Sequence, residues 1–176
     1  MDLKSRGLKG EAFKLITTDG NPALLKAVKE IYPFLKVQRC IVHKLRNVTG
    51  KLRRLHLKPC MSEAKNVFNA RSRREAIKRF KVWKDNWQAE EERAVKCMEK
   101  DLYHCLHYYS FSKELWKKIR TTNILERDFR EVRRRTRPMG FFPQEESAQR
   151  ISYGVTNGIN QNRHHPLASI SAEILT

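Results

Sequence analysis

The sequence predicts a mostly α-helical protein with a small parallel β remnant, and three observations carry that reading. Two short, apolar, β-branched runs, Phe13-Lys14-Leu15-Ile16-Thr17-Thr18 and Lys36-Val37-Gln38-Arg39-Cys40-Ile41, bracket one short amphipathic segment. Strand, helix, strand with so brief a crossover requires parallel pairing in a right-handed unit. From Ser62 to about Tyr109 apolar residues recur at helical spacing with no strand pattern among them. Proline and glycine, finally, mark the ends of most of these periodic segments.

Taken in order, the first strand closes at the turn pair Asp19-Gly20, after which Asn21 supplies an N-cap and Pro22 a first-turn proline. Leu24, Leu25, Val28 and Ile31 then define a helix over 22–32, ended by Pro33. The second strand feeds a helix from Val42 through Leu55, with Leu45, Val48 and Leu52 on one face. Two strands alone make a poor sheet, so the remainder is absent or supplied by another polypeptide. The long helical stretch places Val67, Phe68, Ile77, Phe80, Trp83, Trp87, Val95, Met98, Leu102 and Cys105 in a core. Trp83 and Trp87 share a helix face, which favours packing over base stacking. A short helix follows with Leu115, Trp116 and Ile119, then one from Asn123 to Arg137 stopped by Pro138 and Gly140. Pro143 opens a last helix, which Gly154 and Gly158 weaken, and the tail from Asn160 reads as loosely ordered.

Charge narrows the function. Among 176 residues, 37 Lys and Arg face 19 Asp and Glu, a net charge of +18. A compact chain this basic repels itself, which points to a polyanionic partner, nucleic acid ahead of an acidic membrane surface. No apolar run approaches the ~20 residues of a membrane span. The start has no hydrophobic signal region and resembles the end of a helix, so the expected location is cytoplasmic. The four cysteines, Cys40, Cys60, Cys97 and Cys105, show no secreted disulfide framework.

Two acids stand out. Asp19 lies just past a parallel strand, where open α/β sheets place their ligands, although Asp-Gly is also ordinary turn chemistry. Glu126 sits three residues after Asn123, a spacing that could simply be a capping box. Its helix argues for more. Leu125, Phe129 and Val132 form an apolar stripe beside Glu126, Arg130, Arg133 and Arg137 at i, i+4, i+7 and i+11. So many guanidinium groups with so little counter-charge suit phosphate better than salt bridges. Lys44 and Arg46, in His43-Lys44-Leu45-Arg46-Asn47, add cations suited to backbone contact. Cys40-Ile41-Val42-His43 has half the spacing of a zinc site, but no second half is evident, and core packing or site support is preferred. Aromatic platforms of an RNA-binding module are missing from the pattern.

Several blocks, in order, resemble the Mutator-type DDE transposases of bacterial insertion sequences. They are Thr17-Thr18-Asp19-Gly20; Gln38-Arg39-Cys40-Ile41-Val42-His43-Lys44-Leu45-Arg46-Asn47; and Leu115-Trp116-Lys117-Lys118-Ile119-Arg120-Thr121-Thr122-Asn123-Ile124-Leu125-Glu126. Arg133-Arg134-Arg135-Thr136-Arg137 and Phe142-Pro143-Gln144-Glu145-Glu146-Ser147-Ala148 continue the match. The resemblance implies a partial ribonuclease H-like α/β core interrupted by an all-helical insertion. On that reading residues 1–56 are the second half of the core, 57–119 the insertion, 120–159 the core-return and final helices, and 160–176 a tail. It implies DNA nicking at element ends and strand transfer to target DNA, with two Mg²⁺ (or Mn²⁺) ions in the complete enzyme. Asp19 and Glu126 would be the metal ligands, His43 a supporting catalytic residue, and Lys44, Arg46, Arg130, Arg133, Arg134 and Arg137 the DNA contacts. The family's first acid should lie upstream of Met1, so the resemblance describes the carboxy-terminal portion of a transposase, inactive by itself. The alternative is a catalytically inactive DNA-binding product that occupies DNA, forms a homo-oligomer or pairs with the full-length enzyme.

Overall fold

Strand β1 (Leu15–Thr18) and strand β2 (Lys36–Arg39) pair in parallel, Leu15 opposite Lys36 and Thr18 opposite Arg39, in the computed structural model, which describes residues 5–162. Helix α1 (Pro22–Ile31) makes the crossover. Its start is fixed as the sequence predicts: Asn21 Oδ1 accepts the amides of Ala23 and Leu24, and Pro22 occupies the first turn. Among the described residues the two strands pair only with each other.

The rest is helical, as expected, but with a finer division. Helix α2 (Ile41–Thr49) stops at Gly50, short of the predicted Leu55. The reason is tertiary: the Arg53 amide and guanidinium both turn to Glu91, a carboxylate only 4% exposed that also receives His56. Chain direction there follows these bonds rather than the helix ladder. Helices α3 (Leu57–Phe68), α4 (Arg73–Trp87), α5 (Glu92–Lys100) and α6 (Leu102–Cys105) make up the long helical stretch, followed by a 3-10 turn at His107–Ser110 and helix α7 (Trp116–Ile119). Trp83 is the largest side chain sealed in their core, its indole N–H donating to the Cys60 carbonyl at 3.1 Å. That bond meets the one polar requirement of a buried tryptophan.

Gln38 shows how the helical stretch returns to the strands. Fully buried on β2, it donates to the Cys105 carbonyl at 2.9 Å and accepts the Tyr108 amide at 2.9 Å. His107 Nδ1 lies 2.7 Å from the Val37 carbonyl. A buried amide with its donors and acceptor met in this way specifies one docking geometry.

The chain divides into two compact units at Thr122. In the second, helix α8 (Asn123–Thr136) leads through a 3-10 turn (Arg137–Met139) to helix α9 (Glu145–Asn162), which packs on α8. Helix α9 runs through Gly154 and Gly158, and residues 160–162 continue it; the predicted tail beyond them lies outside the described residues. The apolar stripe of α8 is less buried than the sequence suggests, with Leu125 52% and Phe129 54% exposed. Among the described residues no helix is long and apolar enough to cross a membrane.

Candidate functional site

Asp19 stands at the carboxyl end of β1, exposed, in a turn of defined geometry. Its Oδ1 accepts the Asn21 amide at 2.9 Å and the Thr18 hydroxyl at 3.4 Å, while Thr18 Oγ1 itself accepts the Gly20 amide. No donor reaches Oδ2 among the described residues. The Asn21 amide, with smaller help from Thr18, His43 and Arg39, holds the Asp19 carboxyl below its ordinary range against a modest desolvation penalty. The acid is thus kept ionised with one oxygen available.

At the end of β2, the Cys40 amide extends the ladder by donating to the Thr18 carbonyl at 2.8 Å, and Cys40 then opens α2. One turn on, His43 Nδ1 lies 3.3 Å from Cys40 Sγ. The segment after α7 comes back to this same edge. Thr17 Oγ1 donates to the Ile119 carbonyl at 2.6 Å, Ile41 N donates to the Arg120 carbonyl at 3.1 Å, and the Thr122 amide and hydroxyl reach Cys40 Sγ at 3.3 and 3.4 Å. Asp19, Cys40, His43 and Thr122 are therefore gathered from three separate stretches of chain. Cys40 Sγ is engaged by protein donors, and among the described residues no group of three or more His, Cys, Asp or Glu could hold a metal ion.

Behind the turn lies a buried charge cluster. Lys44, expected among the DNA-contacting cations, is only 2% exposed, with Nζ 2.9 Å from Asp101 Oδ2. A lysine so enclosed neutralises a carboxylate and does not meet phosphate, which corrects that assignment. Arg39 Nε stands 3.4 Å from the same oxygen, and among the described residues neither Nε nor Nη1 has a hydrogen-bond acceptor. Burial raises the Asp101 pKa, but the hydrogen bond and charge of Lys44 and the charge of Arg39 outweigh it and leave the carboxyl below its ordinary value.

The remaining cations lie on surfaces. Arg46 is exposed on α2. On α8 and the 3-10 turn that follows it, Glu126, Arg130, Arg133, Arg134 and Arg137 line one groove of about 500 Å³. Arg134 forks onto Glu131 at 2.9 and 2.8 Å, whereas Arg130 and Arg133 on the helix and Arg137 in the turn are exposed. Asn123 is the first residue of α8, and Thr122 precedes it. Sequence reasoning missed Arg39, Asp101 and Thr122 as parts of the site. Arg39 and Thr122 each adjoin a residue it singled out, but Asp101 carries no local signal.

Comparison with known proteins agrees with this arrangement of blocks. Residues 1–165 match the family described as Transposase, Mutator family. The chain is 34% identical over 149 residues to the transposase for insertion sequence element ISRM5 of Rhizobium meliloti, covering 85% of this chain and 37% of that protein. It is 37% identical over 135 residues to the transposase for element IST2 of Acidithiobacillus ferrooxidans, covering 77% and 45%. The transposase for element IS905 of Lactococcus lactis is 26% identical over 148 residues, covering 84% and 37%. The chain thus spans less than half the length of these relatives. With both acids, the Cys-x-x-His block and the arginine helix inside the matched region, this chain belongs to the Mutator family of transposases.

Proposed function

We infer that this chain supplies two metal-ligating acids, Asp19 and Glu126, and a phosphate-binding surface to a DNA transposase built on a ribonuclease H-like core. The observation that carries the reading is the α8 groove, in which one carboxylate shares its walls with four arginines. Guanidinium groups grip phosphate oxygens bidentately, and the acid among them would hold a cation against the same phosphate. Asp19 suits the partner role because its charge is fixed by the Asn21 amide while one oxygen stays available.

The donor set fits Mg²⁺ or Mn²⁺. Magnesium is commonly held by one or two carboxylates, with waters and substrate phosphates completing its shell. Bound there, such ions would activate the attacking oxygen and stabilise the leaving one in DNA nicking and strand transfer. The chain's own residues do the rest. Arg130, Arg133 and Arg137 hold the DNA backbone, Arg46 adds a contact on α2, and His43 stands beside Asp19 to bind or pass a proton. The DNA partners are element ends and target DNA, and the recognition is of backbone rather than bases.

Nicking of a labelled duplex carrying an element end tests this. A chain extended to the length of its relatives should nick in Mg²⁺ or Mn²⁺, and Asp19→Asn or Glu126→Gln should abolish nicking while DNA binding persists. The present 176 residues alone should bind DNA without detectable nicking. Nicking that survives both substitutions contradicts the assignment. Binding without nicking in the extended chain would favour the inactive DNA-binding reading, including pairing with an active copy.

A further inference from the structure

We propose that Lys36, Arg73, His104 and His107 form a second contact for the DNA backbone, in addition to the groove of α8, and that this contact tightens as the solution is acidified. The proposal rests on the reading of DNA as the chain's partner and does not depend on the metal-ligating acids.

The four residues come from three separate stretches of the first unit, and Lys36, Arg73 and His104 are exposed. Lys36 opens β2, about 10 Å along the strand from Arg39 at the end that adjoins Asp19. Arg73 opens α4, and its guanidinium carbon lies 5.9 Å from the centre of the Tyr103 ring, within reach of a cation–π contact. Tyr103, 58% exposed on α6, thus holds that cation at the surface. His104 follows it, and the rings of His104 and His107 meet edge to face with centroids 5.5 Å apart. Two acids close along the chain are engaged elsewhere, Asp101 with Lys44 and Arg39, and Glu75 with Arg79 and the Arg71 amide.

Two adjacent imidazoles invite a transition-metal ion. The charges around them decide against it. Those acting most on His107 are His104 from α6, Arg73 from α4 and Lys36 from β2, all basic; α7, which also packs on the turn, adds Lys117 and Lys118. Such surroundings repel a cation and attract phosphate. His107 Nδ1 lies 2.7 Å from the Val37 carbonyl, which only accepts, so the hydrogen of the neutral ring sits there and Nε2 is the atom that gains a proton. Burial lowers the His107 pKa, the Val37 bond raises it, and the basic neighbours lower it further. Phosphate beside the ring reverses the sign of the local charge and favours the protonated form, whose Nε2–H donates to it. Binding therefore takes up a proton, and affinity rises as pH falls through the histidine range.

The test uses the whole chain with two readouts. Fluorescence anisotropy with a labelled DNA duplex measures affinity across salt and between about pH 8 and pH 6, and NMR titration of the imidazole signals reports on the site. DNA should raise the pH at which His107 titrates. Lys36→Ala with Arg73→Ala should flatten the salt dependence by about 1.8, at roughly 0.9 per phosphate lost. His104→Gln with His107→Asn, in which the Asn amide keeps a donor for the Val37 carbonyl, should remove about threefold or more of the gain in affinity on acidification. The Lys36 and Arg73 variant, altered only at the surface, carries the test if the histidine variant does not fold. An unmoved His107 signal and an unchanged salt slope, where Arg130→Ala with Arg133→Ala and Arg137→Ala flattens it, would overturn the second contact and leave the α8 reading intact. A His107 response to anionic phospholipid vesicles but not to DNA would overturn it too. A salt slope near zero in the unmodified chain would remove DNA as the partner and this contact with it.

Discussion

Gly20 and Arg39 occupy one another's space: a Cβ on Gly20 would lie 1.5 Å from Arg39 Nη1, so the guanidinium at the end of β2 rests on the backbone of the Asp19-Gly20 turn. Gly20 also has φ +86°, a left-handed conformation that side chains disfavour. Gly20→Ala should therefore destabilise the protein by about 2 kcal/mol or more in urea unfolding, the backbone penalty plus displacement of a buried arginine. A cost near zero would mean that the turn and the guanidinium are not in contact.

Lys44, Arg39 and Asp101 form the buried cluster that joins α2 and β2 to the corner between α5 and α6. Asp101→Ala would leave two enclosed cations without an anion, at a cost of about 3–5 kcal/mol. The pH dependence has a definite sign. The Asp101 pKa is lowered in the folded protein from its ordinary 3.8, so its stabilisation is complete above that value and is lost as pH falls through the lower folded value. Acid titration of stability should show a steeper loss below about pH 4 for the wild type than for Asp101→Asn. Parallel acid limbs would contradict the pairing.

DNA affinity should depend strongly on salt and weakly on sequence. If about five phosphates are neutralised, log affinity should fall against log salt with a slope near −4 to −5. Replacing Arg130, Arg133 and Arg137 together with Ala should flatten it by about 2 to 3, at roughly 0.9 per phosphate lost. Fluorescence anisotropy across salt concentrations measures both. A slope near zero in the wild type, or no change in the triple variant, would remove α8 from the interface.

Local features of the site were legible in the sequence because local chemistry sets them. Asp19-Gly20-Asn21-Pro22 specifies a turn and a helix start with no help from the rest of the chain, and the observed capping by Asn21 follows. Trp83 falls in the core because helical spacing alone points it there. Lys44 was misread because its tract resembles the exposed Arg46 next to it, and burial is decided by Asp101, far along the chain. The early end of α2 has the same origin, since Glu91 takes the donors of Arg53. The strength of α9 was underestimated. A Cβ on Gly154 or Gly158 would meet nothing within 4 Å, so each glycine costs only its propensity, about 1 kcal/mol, and the helix continues.

Replacing Mg²⁺ by Fe²⁺ with ascorbate and peroxide, and mapping where hydroxyl radicals cut the polypeptide, tests the proposal that Asp19 and Glu126 are both metal ligands. Radicals cleave only backbone close to the ion. The account predicts two cut regions, around residues 19 and 126, both suppressed by excess Mg²⁺ and each lost when its own acid is replaced, in Asp19→Asn or Glu126→Gln. Cutting confined to one of the two segments, or unchanged by either substitution, would contradict it.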